Sequence, residues 1–167
     1  MNIDDDTENF LKMWKSIYFE LSNVINKQII ISGMGGSGIG GQILSAISDT
    51  EGFAQITSWN NYNLPKWTTK NCFVICVSYS GNTAETLSAA KAALEIGCDI
   101  EIITTGGKLE TLAKDNNLHT TKIEKGHQPR AALPLLLKAL IYRIGLPNLE
   151  EQINEVNRFT LPIDKAK

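Results

Sequence analysis

One junction recurs along this chain and limits what it can fold into. A short run of β-branched residues ends in a turn rich in glycine or hydroxyls, and the turn opens into a helical pattern. The first such run, residues 28–32, carries three successive isoleucines and stops at Gly33. A helix is predicted from Ser37 to about Ser48, with Ile39, Ile43, Leu44 and Ile47 on one side. The second run, 72–77, leads through a serine turn into a helix over 83–96 that Gly97 ends. Residues 99–104 then read as a strand before a short helix over 108–115. Weaker strands are expected at 53–58 and 120–123, and a helix over 130–144 is closed by Gly145 and Pro147. Phe10, Trp14, Ile17 and Leu21 recur at helical spacing, which predicts an amphipathic helix over about 7–26. A last helix over 149–159 and a loose tail finish the chain.

Short apolar runs bounded by glycine are the mark of strands buried on both faces. Alternation with helices makes βαβ units, whose right-handed crossovers put helices on both sides of a parallel sheet. The fold class expected is α/β, a three-layer sandwich with a five-stranded parallel sheet between helices. In 167 residues one domain with a substantial core is the natural outcome. The organisation expected is an N-terminal helix packing on the domain over 1–27, a single domain over 28–159, and a tail over 160–167.

Charge and cysteine usage exclude several functions. Lys plus Arg number 16 against 18 Asp plus Glu, a net charge of −2, where a nucleic-acid binder shows a basic excess. No run of 18 apolar residues is present, so no membrane span is expected. The first residues, Met-Asn-Ile-Asp-Asp-Asp, are acidic where a secretory signal is basic. Cys72, Cys76 and Cys98 lack metal-type spacing and read as packed thiols in a reducing cytoplasm, with no metal site.

In a parallel sheet of this kind, ligands sit at the carboxyl ends of the strands near the topological switch point. The first turn, Gly33-Met34-Gly35-Gly36-Ser37-Gly38, matches the dinucleotide fingerprint G-x-G-x-x-G. The fingerprint also needs an acid at the end of the second strand, and Ser58-Trp59-Asn60 supplies none. That argues against a nicotinamide or flavin, and no cofactor is expected. The second turn, Ser78-Tyr79-Ser80-Gly81-Asn82-Thr83, sets three hydroxyls beside a helix start. Hydroxyls, backbone N–H groups and the helix dipole together suit a phosphate monoester. With no lysine in the turn, the pattern points to holding a metabolite's phosphate rather than transferring it. Asn82 and Glu85 are expected to form a capping box. Lys108, after Gly106-Gly107, reads as a solvated lysine at a helix start. In the fourth turn Pro129 is expected at the first helical position, with Arg130 facing the strand ends. A guanidinium there can hold a phosphate, a carboxylate or a developing enediolate. His127 reads as an exposed loop histidine, with acid–base chemistry as the alternative, and His119 receives no function.

Taken together these turns resemble the sugar isomerase (SIS) family, and more closely its bifunctional phosphoglucose/phosphomannose isomerases. The resemblance rests on Gly33-Met34-Gly35-Gly36-Ser37, the run from Ser78 to Leu87, Gln128-Pro129-Arg130-Ala131-Ala132-Leu133, Tyr62-Asn63-Leu64-Pro65 and Gly106-Gly107-Lys108-Leu109, in that family's order from about Gln28 to Leu140. It implies a flavodoxin-like strand order and binding of a hexose 6-phosphate. Ser37, Ser78, Ser80 and Thr83 would hold the phosphate, Gly35 and Gly36 would flank the sugar, and Arg130 would stabilise the cis-enediol of an aldose–ketose isomerisation.

Two departures temper that picture. Family enzymes carry two SIS domains, and the glutamate base, the ring-opening histidine and a further lysine of the second domain have no counterparts here. Glu85, Glu110 and Glu124 are available carboxylates that no motif places at a substrate carbon. The chain therefore reads as an N-terminal half with a phosphate pocket, or alternatively as a stand-alone sugar-phosphate-binding or regulatory module. A homodimer, or pairing with a second SIS-domain chain, is expected from an apolar helix face left exposed around 131–144.

Overall fold

Successive side chains of a strand point to opposite faces, so three isoleucines in a row need apolar cover on both sides. The computed structural model, which describes Trp14 and residues 27–127, 131–146 and 148–149, provides it. Ile29 and Ile31 enter one hydrophobic cluster and Ile30 enters the other. This strand, β1 (Gln28–Gly33), lies inside a five-stranded sheet with β2 (Gln55–Trp59), β3 (Phe73–Ser78), β4 (Asp99–Thr104) and β5 (His119–Lys122). The order is β2-β1-β3-β4-β5 and every pairing is parallel. That is the expected α/β sandwich, with strand ends within two residues of those read from the sequence.

Four helices are described: α1 (Gly36–Glu51), α2 (Ala84–Ile96), α3 (Gly107–Asp115) and α4 (Leu133–Ile144). Leu44 of α1 and the leucines of α4 fill the cluster on one face of the sheet. Ala89, Ala90 and Ala93 of α2, with Leu109 and Ala113 of α3, fill the other. The expected N-terminal helix lies outside the described residues except for Trp14, which is buried in the α4 cluster. The expected helix over 149–159 and the tail also lie outside, apart from Leu149.

Three expectations need correction. The predicted face of α1 is rotated: its buried residues are Gly38, Gly40, Gly41, Leu44 and Ser48, while Ile39 is 39% exposed. A Cβ on Gly40 would come within 2.9 Å of Leu140 Cδ1, so the bare backbone lets α1 and α4 pack closely. Helix α4 starts at Leu133 rather than Arg130, and Pro134 takes the first-turn position expected for Pro129. Its apolar face is not left open either. Pro134 through Ile141 and Ile144 are all buried, Lys138 among them. Lys138 Nζ donates to the Trp14 carbonyl at 2.5 Å and lies 5.6 Å from that indole. The argument for a dimer from an exposed α4 therefore falls.

Cys72 and Cys76 are buried free thiols, as expected, and burial pushes the Cys76 thiol up to about 12. Glu101, in the middle of β4 and 1% exposed, is held by Arg143 at 2.9 Å, His119 at 2.7 Å and Thr121 at 2.7 Å. These partners satisfy a charge that burial alone makes costly.

Candidate functional site

The strand order reverses at β1, whose neighbours β2 and β3 lie on opposite sides. The turns after β1 and β3 therefore open side by side at the carboxyl edge of the sheet, where ligands of such folds bind. The first turn bends at Gly35, which has φ 52° and open space where a Cβ would stand. Helix α1 begins immediately after it, and α2 begins after Thr83. Neither helix has a side-chain cap bond; at the start of α1 the Ser37 and Gly38 N–H groups instead donate to the Met34 and Gly35 carbonyls at 3.1 and 3.0 Å.

A single hydrogen bond joins the two turns: the Tyr79 backbone N–H donates to Ser37 Oγ at 3.1 Å. That bond uses one acceptor position of the Ser37 hydroxyl and leaves its proton available. Ser80 is exposed and arranged the same way, accepting the Asn82 N–H at 3.2 Å. Ser78 is 1% exposed; its Oγ accepts the Gly81 N–H at 3.1 Å and lies 2.9 Å from Thr83 Oγ1. The structure thus brings Ser37, Ser78, Ser80 and Thr83 to one edge, next to Gly35 and Gly36. Arg130, with Gln128 and Pro129, lies outside the described residues.

The capping box does not form. The α2 cap residue is Thr83, without a side-chain cap bond. Asn82 instead faces the neighbouring helix, its Oδ1 accepting the Lys108 N–H in the first turn of α3 at 3.2 Å, while its Nδ2 donates to Ser80 O at 3.2 Å. The turn after β4 thus supports the serine turn. Thr105 donates to Tyr79 O from its N–H at 3.2 Å and its hydroxyl at 2.6 Å, and the Leu109 N–H donates to Gly81 O at 2.9 Å.

Sequence reasoning passed over Tyr79, which is 8% exposed. Its hydroxyl accepts the His127 N–H at 2.9 Å and donates to the Glu124 carbonyl at 3.4 Å. Partners 48 and 45 residues away leave no local pattern to read. Thr86, fully buried in the first turn of α2, has a hydroxyl with no partner among the described residues. Among the free carboxylates, Glu110 is held down at about 2 by hydrogen bonds from Lys122 at 2.6 Å and Lys114 at 3.0 Å. A carboxylate so far below neutral pH is a poor general base. Among the described residues no cluster of His, Cys, Asp or Glu suits a metal ion, and no helix is long and apolar enough to cross a membrane. A shallow groove along α1 and the edge strand β2, lined by Gln42, Ser45, Asp49 and Thr57, contains none of the predicted site residues.

A sheet of this order, with hydroxyl-lined turns paired at its switch point, is a doubly wound α/β domain whose ligand edge lies at those turns. No family model matches the chain, but curated relatives and solved structures do: over most of its own length the chain is similar to bifunctional phosphoglucose/phosphomannose isomerases, and its fold is that of a sugar isomerase domain. It is 39% identical over 137 residues to the bifunctional phosphoglucose/phosphomannose isomerase of Thermoplasma acidophilum, covering 82% of this chain and 42% of that protein. It is 34% identical over 140 residues to the D-glucosamine-6-phosphate 4-epimerase of Sulfolobus acidocaldarius, covering 80% of this chain and 44% of that one. The chain thus spans less than half the length of either relative. The fold matches a Methanococcus jannaschii protein whose structure was read as that of a 3-hexulose-6-phosphate isomerase, with TM-score 0.55, 23% identity and coverage of 93% and 90% of the two chains.

Proposed function

We propose that this chain holds the phosphate of a hexose 6-phosphate between the turns after β1 and β3, as the phosphate-binding part of an aldose–ketose isomerase. The observation that carries the reading is the Tyr79 N–H···Ser37 Oγ bond. It holds the glycine turn and the serine turn side by side, with two helix starts behind them. In this site the Ser37 and Ser80 hydroxyls donate to phosphate oxygens. Ser78 donates to Thr83 Oγ1, which frees the Thr83 proton for the ligand. Gly35 and Gly36 present bare backbone to the sugar.

The reaction is the interconversion of glucose 6-phosphate or mannose 6-phosphate with fructose 6-phosphate through a cis-enediol. Arg130 stabilises the negative charge that develops on the enediolate. The proton between C1 and C2 is moved by a base supplied from outside this chain, as the resemblance implies; Glu110, held far below neutral pH by Lys122 and Lys114, is too weak a base for that step. Similarity to both an isomerase and an epimerase of phosphorylated sugars supports the ligand class more directly than the reaction.

Two measurements follow. Ser80→Ala should weaken fructose 6-phosphate binding by about 1.5 kcal/mol, roughly tenfold in Kd, because a donor to a charged group is lost. Calorimetry giving an unchanged Kd would remove Ser80 from the site. The reading also carries a cytoplasmic protein that works beside a second SIS domain, in a second copy or in another chain. With α4 covered, this pairing rests on the base the chain must borrow and not on an exposed face; sedimentation at micromolar concentration showing a monomer would leave another chain as the source of the second domain.

A further inference from the structure

Tyr79 forms hydrogen bonds to the turns after β1, β4 and β5 at the carboxyl edge of the sheet. Its N–H reaches the glycine turn at Ser37, and its carbonyl accepts both donors of Thr105. Its hydroxyl crosses to the loop after β5 and binds main-chain groups at both ends of the segment from Glu124 to His127. The ring between these contacts is buried in the cluster under α4, so it has little freedom to relax independently. Main chain and hydroxyl are thereby linked through a rigid, packed body.

We propose that Tyr79 is a positioning residue that couples the phosphate-side turns to the loop after β5. The coupling rests on the phosphosugar reading only for the identity of the ligand. A ligand that takes the Ser37 proton alters the oxygen to which the Tyr79 N–H donates. The shift passes along the ring to the hydroxyl and then to the His127 N–H. Tyr79 itself touches no ligand through its side chain. The hydroxyl therefore governs the placement of the β5 loop, and affinity resides in the turns.

Amide NMR on the whole chain tests this with Tyr79→Phe, which removes the hydroxyl and keeps the ring. In the parent protein, fructose 6-phosphate should move the Ser80, Asn82 and His127 amide resonances with one common Kd. In Tyr79→Phe the turn amides should still move, with Kd within threefold, while the His127 amide no longer responds. A His127 response that survives in the variant overturns the proposal. So does a tenfold or greater loss of affinity, which would make the hydroxyl part of the binding site. If no amide of the parent protein moves, the phosphosugar reading fails and the coupling is read without ligand. Ser37→Ala should then shift the His127 amide in the parent background and not in Tyr79→Phe. A shift in both or in neither overturns the coupling on its own.

Discussion

Gly81→Ala is expected to abolish sugar-phosphate binding and to lower stability by about 2–5 kcal/mol, the sum of left-handed strain and overpacking. Gly81 has φ 69°, and a Cβ there would stand 1.7 Å from the Gly106 carbonyl oxygen and 2.8 Å from Thr104 Oγ1. The nearest obstacle is backbone, so no side-chain rotation relieves it. The turn after β4 must move away, and with it go the Leu109 N–H bond to Gly81 O and the Lys108 N–H bond to Asn82. Those bonds hold the serine turn in shape. Gly97→Ala is the matched control, since Gly97 has φ 81° but nothing within 4 Å of its missing Cβ. It should cost about 1 kcal/mol and leave binding intact. Denaturant unfolding and calorimetry on both variants separate strain from collision. A Gly81→Ala protein that binds normally and unfolds within 1 kcal/mol of the parent would contradict the close approach of the two turns.

Arg130→Ala should separate binding from turnover. In the proposed site the phosphate is held by hydroxyls and backbone N–H groups, so the affinity of fructose 6-phosphate should change little. When a second SIS domain supplies the base and isomerisation is measured, the same substitution should lower the rate by about 100- to 1,000-fold, the usual loss when one stabiliser of a developing oxyanion is removed. The asymmetry arises because charge on the enediolate exists only in the transition state and intermediate, not in the bound substrate. If Arg130→Ala instead loses affinity as Ser80→Ala does, Arg130 is a phosphate ligand and the enediolate role is wrong.

The strands were legible because burial on both faces leaves little ambiguity. Residues 73–78 are all buried, and the apolar run there could hardly sit elsewhere than mid-sheet. The turns were legible because each joins a strand end to a helix start. Helix faces were harder. Periodicity pointed to the isoleucines of α1, whereas packing chose its glycines, since Gly40 lets Leu140 approach to a distance no side chain permits. For α4 the signal was present and weighed wrongly. A helix reading Leu-Pro-Leu-Leu-Leu-Lys-Ala-Leu-Ile-Tyr-Arg-Ile is apolar nearly all round, the pattern of a buried helix rather than of one awaiting a partner. Asn82 misled for a different reason. A capping box is a local signature, but its side chain found the N–H of Lys108 in another helix, 26 residues on. The role of Tyr79 depends wholly on such distant pairings.

The most direct measurement is a crystal of this chain soaked in fructose 6-phosphate. The phosphate should lie between the turns after β1 and β3, within hydrogen-bond distance of at least two of the Ser37, Ser80 and Thr83 hydroxyls, with the buried Ser78 supporting Thr83 from behind. Phosphate density anywhere else, such as along the α1–β2 groove or at the lysines around Glu110, would contradict the proposed site.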